Sequence, residues 1–103
     1  MEDAIELHNW SAYQFGRFEY RLVGYVVLPE SRVSFIVSEP IVGVNPVEGT
    51  VETVNKIWFK PLNRIDPTQR IDMMYSLGRW IDLNMKSQPR DSSEMVEEEL
   101  KKK

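Results

Sequence analysis

A change of hydrophobic period near the middle of the chain constrains the fold more than any other feature. Residues 18–59 are dense in β-branched and aromatic side chains, which favour strands. Residues 66–85 instead repeat apolar side chains every three or four positions, the period of an amphipathic helix. The sequence therefore predicts an α+β fold in which one long helix packs on a sheet.

Segments of the first region have the composition of strands, and short turns with proline, glycine or serine separate them. The alternation is clearest where Val33, Phe35 and Val37 share one face. Because the strands are sequential and the turns are short, we predict a small curved antiparallel sheet of about four strands. A sheet of this size can curl toward an SH3-like partial barrel. The predicted strands span residues 18–28, 32–38, 41–44 and 50–59.

The helix has a clear start and one wide apolar stripe. Asp66 is the predicted N-cap, and Pro67 occupies the first helical position. Gly78 lies inside the helix, where glycine costs about 1 kcal/mol relative to alanine, so we expect it to mark a close approach to the sheet or a kink. The residues predicted to face the sheet are Ile71, Met74, Leu77, Gly78, Ile81 and Met85, widened by Met73, Tyr75 and Trp80.

The end of the chain differs in composition from the rest. Residues 87–93 are polar and contain Pro89, which is typical of a linker. Residues 94–103 place glutamates four positions before lysines, a pattern that supports a short helix. We therefore predict one α+β domain over residues 1–86, followed over 87–103 by a polar linker and a short charged helical or flexible tail.

Composition excludes several classes of protein. The 103 residues contain no cysteine, which excludes disulfides and thiolate chemistry. The first ten residues carry acids and no lysine or arginine, unlike a signal peptide, and no apolar run is long enough to cross a bilayer. The net charge of −3 disfavours a dedicated nucleic-acid binder. These features predict a cytoplasmic protein with no membrane partner.

No motif in the chain predicts an active site. His8 is the only histidine, and the glycines form no phosphate-binding loop. Carboxylates could meet in a cleft and serve a small-ligand or enzymatic domain, but their spacing matches no metal-binding loop. We therefore predict no catalytic residue, no metal ligand and no cofactor, and we expect a protein that is not an enzyme.

Aromatic side chains are slightly abundant for so small a core, at 11% of the residues. Exposed tryptophans and tyrosines anchor many protein interfaces. The candidates for partner binding are Trp10, Tyr13, Trp58 and Trp80. For Trp58 and Trp80, packing between sheet and helix is the alternative interpretation.

An alternative function uses the first predicted strand and its neighbours. Arg17, Arg21 and Arg32 alternate there with Tyr20 and Tyr25. Arginines beside aromatic rings are typical of proteins that bind single-stranded nucleic acid. The same spacing also arises in a strand with a charged outer face, so this function ranks below protein binding.

One set of segments resembles a known group of proteins. Residues 24–27 (Gly-Tyr-Val-Val), residues 37–42, residues 49–55 and Trp58 are similar to small accessory proteins encoded by phages and prophages, mostly of unknown function. The resemblance covers about a third of the chain and departs from the pattern at Glu39-Pro40. It implies a non-enzymatic protein that binds and inhibits a host factor, and it transfers no functional residues.

Together these observations predict a small protein-binding accessory protein. Its expected partner is another protein, such as a host defence nuclease complex. Little apart from Pro40 and scattered charges blunts the edges of the predicted sheet, so pairing of two copies through an edge strand is also compatible with the sequence.

Overall fold

The fold is a mixed β-sheet of seven strands with two helices, seen in a computed structural model that describes residues 3–102. The strands are β1 (Ile5–Gln14), β2 (Tyr20–Val27), β3 (Val33–Val37), β4 (Ile41–Asn45), β5 (Thr50–Thr53), β6 (Trp58–Pro61) and β7 (Arg90–Asp91). The helices are α1 (Arg70–Leu83) and α2 (Ser93–Lys101). Each helix is short, and none in the described part of the chain could cross a membrane.

The strand order is β3-β2-β1-β6-β5-β4, with β7 paired to β1. All pairings are antiparallel except that of β1 with β6, which is parallel. The predicted fold, an antiparallel sheet of about four strands with one long helix, is therefore wrong. The mixed sheet joins two antiparallel meanders, β1-β2-β3 and β4-β5-β6, through the central strand β1.

Two features account for most of the missed strands. β1 pairs with three strands, and a register shift between His8 and Ser11, where Asn9 has a φ of 49°, interrupts its alternation. The segment predicted as one strand over 50–59 turns back on itself. Lys56 adopts a φ of 65° there, and Thr53 donates its N–H to the carbonyl of Ile57 across the hairpin.

The strands enclose one hydrophobic cluster, which we call the inner cluster. It forms on one face of β1 and β2 and is completed by β5, β6 and α2. Gly24 allows the close packing, because a Cβ there would lie 2.9 Å from Cγ of Leu7 and 3.0 Å from the carbonyl oxygen of His8. The buried members of the inner cluster are Leu7, Trp10, Ala12, Leu22, Val51, Phe59 and Val96.

A second cluster, the outer cluster, lies between α1 and the opposite face of β1, β2 and β3. Met73, Leu77 and Ile81 of α1 are buried in it, against Tyr13 and Val23 of the strands. Because successive side chains of β2 alternate between the two clusters, both faces of this strand are apolar. The centre of the sheet is thus covered on both sides.

The helix packs on the sheet with only part of the predicted face: Leu77 and Ile81 are buried as predicted, whereas Met74 and Met85 are exposed. Ile71 and Tyr75 are 81% and 74% exposed, whereas Met73 is fully buried. Apolar residues occur on two sides of α1, so hydrophobicity alone does not determine which side packs. A Cβ added at Gly78 would meet no atom within 4 Å, so the expected close approach to the sheet is wrong.

The helix start agrees with the prediction in its chemistry. The side chain of Asp66 accepts a hydrogen bond of 2.8 Å from the N–H of Thr68, and a short 3-10 turn, Pro67–Gln69, precedes α1. At the other end of the chain, α2 packs on the strands. Val96 is 3% exposed, and Ser93 Oγ accepts a hydrogen bond of 2.9 Å from the N–H of Ala12.

Candidate functional site

The aromatic residues proposed as partner anchors do not form one surface. Trp10 is 2% exposed and Tyr13 is 4% exposed, so neither ring is available to a partner in this structure. Trp58 on β6 and Trp80 on α1 are half-buried. Trp80 makes an edge contact with Phe15 at 5.4 Å between ring centres, which fits the packing interpretation.

Arg21 is held within the fold. It forms a 2.7 Å ion pair with Glu19, donates to the carbonyl of Ser38 at 2.9 Å, and lies 5.1 Å over the ring of Trp80. Lys86 contacts Glu19 at 3.0 Å. Partial burial acts to raise the pKa of Glu19, but hydrogen bonds and charges from Arg21 and Lys86 outweigh it and lower that pKa. These contacts of Glu19 with Arg21 and Lys86 link β2 to the segment that follows α1.

The remaining residues of the predicted nucleic-acid face are dispersed. Arg17 lies in the exposed turn after β1, whereas Arg32 lies beyond the opposite end of β2. Tyr20 begins β2, and Tyr25 faces α1, where its ring meets that of Phe35 at 5.7 Å. Burial, reinforced by the charge of Asp72, raises the pKa of Tyr25. The five side chains therefore do not share one surface.

A different surface stands out at the edge strand β3. The hydrogen bonds from Leu28 N–H to Arg32 and from Ser38 N–H to Leu22 fix the register of β3 on β2. In that register the even-numbered residues bond to β2, and the backbone groups of Val33, Phe35 and Val37 point away from it. No other described strand pairs with that side of β3.

The side chains on this edge face a groove along α1, which we call the β3–α1 groove. One hollow of about 390 Å³ lies beside Tyr25, Val33 and Asp72. Another of about 290 Å³ lies beside Phe35, Val37, Arg79 and Leu83. Val33 and Leu83 are 64% and 78% exposed.

The β3–α1 groove was not among the predicted sites. The sequence reveals one of its features, the lack of protecting residues on β3, but not the position of β3 in the sheet. Residues 33–37 contain no charge and no proline, the two features that commonly protect an edge strand. What the sequence does not reveal is that β3 ends the sheet. That depends on the long-range pairing of β1 with β6, which places β3 and β4 at opposite edges.

Within residues 3–102 no group of three histidine, aspartate or glutamate side chains is placed to hold a metal ion. His8 lines the hollow beside Tyr25 and Asp72. The β3–α1 groove offers hydrogen-bonding backbone, apolar surface and two separated charges, Asp72 and Arg79.

Comparison with known proteins found no matching family model, no matching curated protein and no matching solved structure.

Proposed function

We propose that the chain is a non-enzymatic binding protein that accepts an extended segment of a partner protein along β3. The observation that carries this proposal is the row of outward backbone groups on Val33, Phe35 and Val37. A strand added at this edge would satisfy them with main-chain hydrogen bonds, as in other cases of strand addition.

The lack of protection on β3 favours a partner that covers it. Five successive uncharged residues, Val33–Val37, form this edge. An exposed apolar edge strand invites pairing with another chain, and proteins commonly blunt such edges with lysine or proline. The edge is therefore suited to a strand from a partner.

The groove also specifies the chemistry of that strand. Side chains at alternate positions of an added strand would point toward α1, into the hollows beside Val33 and Phe35. Asp72 lies at the first hollow and Arg79 at the second, and neither forms an ion pair within the described chain. The segment expected to fit has alternating apolar residues, a base near Asp72 and an acid near Arg79.

A displayed library of random linear peptides, selected on the purified chain, tests this proposal. Selected peptides should show alternating apolar residues and should bind in a fluorescence anisotropy titration. Val33→Glu places a charge on the edge and should weaken their binding by at least about ten-fold. Val42→Glu is the matched control, because Val42 is 58% exposed on the opposite edge strand β4 and should leave the affinity unchanged.

Two results would contradict the proposal. One is equal affinity of the selected peptides for the wild-type chain and for Val33→Glu. The other is a dimer in sedimentation experiments that Val33→Glu dissociates, which would assign the edge to a second copy of the chain.

The resemblance to phage-encoded accessory proteins makes a host defence nuclease complex the first partner to test, with the chain acting as its inhibitor. The absence of cysteine fits a reducing compartment, and we include a cytoplasmic location in the proposal.

A further inference from the structure

A second concave surface lies on the side of the molecule near β7. Two neighbouring hollows, of about 410 and 520 Å³, share Gln14 and Arg90 in their walls. The first is also lined by Arg17, and the second by Arg64 and Arg70. We call this surface the arginine groove, and four arginines line it in a chain whose net charge is −3.

The fold brings these arginines together from four separate segments. Arg90 lies opposite Gln14 in the pairing of β7 with β1, and Arg70 begins α1. The backbones of Arg64 and Trp10 form an isolated parallel β-bridge. The guanidinium of Arg64 lies 5.6 Å from the centre of the Trp10 ring. Arg17 is in the turn that follows β1.

The arginines differ in how far carboxylates neutralise them. Arg64 donates to Glu97 at 3.0 Å, and Arg70 lies 3.9 Å from Asp91. Within residues 3–102, Arg17 and Arg90 form no ion pair. Asp91 also accepts the N–H of Ser93 at 2.9 Å, which engages part of its charge.

The turn that carries Arg17 also carries the exposed ring of Phe18. This side chain is 83% exposed and directly follows Arg17 in sequence, outside the lining of the two hollows. Proteins that hold single strands combine exposed aromatic rings with guanidinium groups, because bases stack on the rings while phosphates meet the charges.

We propose that the arginine groove binds single-stranded nucleic acid, with phosphates at Arg17, Arg90 and Arg70 and a base on Phe18. This function is separate from strand addition at β3 and uses none of its residues. It retains only Arg17 from the arginines and tyrosines that the sequence singled out for nucleic-acid binding. Asp91 and Glu94, which also line the groove, oppose the binding by their charge.

Fluorescence anisotropy with a labelled oligothymidylate, titrated with the full chain at several salt concentrations, tests this inference. The three proposed phosphate contacts predict a slope near −2 for the logarithm of affinity against the logarithm of salt concentration. Arg90→Gln and Arg17→Gln should each weaken binding by about three- to ten-fold and reduce the slope by about 0.7. Both side chains are exposed, so circular dichroism should show an unchanged fold.

Three further variants sharpen the test. Glu94→Gln should strengthen binding because it removes a charge of the same sign as the phosphates, and Phe18→Ala should weaken it. Arg32→Gln is the matched control, since Arg32 is exposed but lies at the opposite end of β2.

Absence of binding at low salt would overturn the inference, as would equal losses for Arg32→Gln and Arg90→Gln. Displacement of the labelled oligothymidylate by pyrophosphate at equal phosphate concentration would also contradict the inference, because it would show that the groove binds isolated phosphate groups as well as a strand.

Discussion

The inner and outer clusters differ in how completely the fold closes them. The inner cluster is surrounded by strands and completed by Val96 of α2, which is 3% exposed. The outer cluster has a closed centre at Met73 and Leu77, but its rim is open. Phe35 and Val37 are only partly buried, where the β3–α1 groove runs beside them.

This difference assigns the two clusters different roles: the inner cluster mainly stabilises the fold, and the open side of the outer cluster is available for binding. A closed cluster contributes to folding through the apolar area that it removes from water. The open side of the outer cluster leaves apolar surface and unpaired backbone groups together on β3, where a partner can use both. The following variants test whether the two clusters differ in this way.

The largest effect is expected from shortening a buried leucine. Leu22 and Leu77 are both 0% exposed, in the inner and outer clusters respectively. Leu22→Ala should lower the free energy of unfolding by about 4 kcal/mol, and Leu77→Ala by about 3 kcal/mol, because the open cluster relaxes more readily around a cavity. Urea denaturation of both variants measures the difference. A larger loss for Leu77→Ala would contradict the proposed contrast.

Two glycines should respond in opposite directions. Gly24→Ala should cost about 2 kcal/mol, because its new Cβ would meet backbone and Leu7 at 2.9 to 3.0 Å. Gly78→Ala should stabilise the chain by about 1 kcal/mol, since the site is open and alanine favours a helix interior. Thermal denaturation distinguishes the two, and equal shifts in the same direction would show that the packing around one of them is misassigned.

The ion pairs around Glu19 predict a dependence on acid. Because its pKa is lowered in the folded state, Glu19 contributes stability above its unfolded pKa of about 4.5 and loses that contribution as the pH falls through the folded value. Glu19→Gln should reduce stability by about 1 kcal/mol at neutral pH and flatten the decline in acid. Urea titrations at several pH values measure this dependence. The same decline of stability in acid for Glu19→Gln and for the wild-type chain would contradict the stabilising role of Glu19. Arg79→Gln, which removes a charge without an ion pair, is the control.

The smallest effect is expected at the β5–β6 hairpin. Lys56 has a φ of 65°, a conformation that glycine adopts without strain. Lys56→Gly should raise the free energy of unfolding by about 0.5 kcal/mol, the relief of strain being partly offset by the entropy of the unfolded chain. Lys60→Gly, in the extended strand β6, should instead be destabilising. Urea denaturation of both variants measures these changes, and a loss of stability for Lys56→Gly would contradict the assigned turn.

Local patterns predicted part of the fold. β2, β3 and the region of α1 lie within predicted segments, because alternation or a capping residue marks each of them. The hairpin at Lys56 was missed because the alternation over residues 50–59 favoured one continuous strand, although Asn55 is a turn-favouring residue. The bulge at Asn9 disrupts the alternation of β1, and the pairing of β1 with β6 joins segments that are far apart in sequence.

The candidate surfaces were harder to predict for the same physical reason. Trp10 and Tyr13 were chosen for residue type, but their positions on β1 point into the two clusters. The edge position of β3 depends on the sheet order, and the arginine groove depends on four segments meeting. Each of these features is set by long-range pairing, which a local pattern does not encode.

Residue-resolved amide hydrogen exchange along β3 tests the central claim most directly. In the free chain at low concentration, the N–H groups of Ser34 and Ile36 should be protected by β2, while those of Phe35 and Val37 should exchange rapidly. Adding a selected peptide should protect Phe35 and Val37 as well. Equal protection of all four amides in the free monomer would show that the edge is already satisfied and would contradict the account.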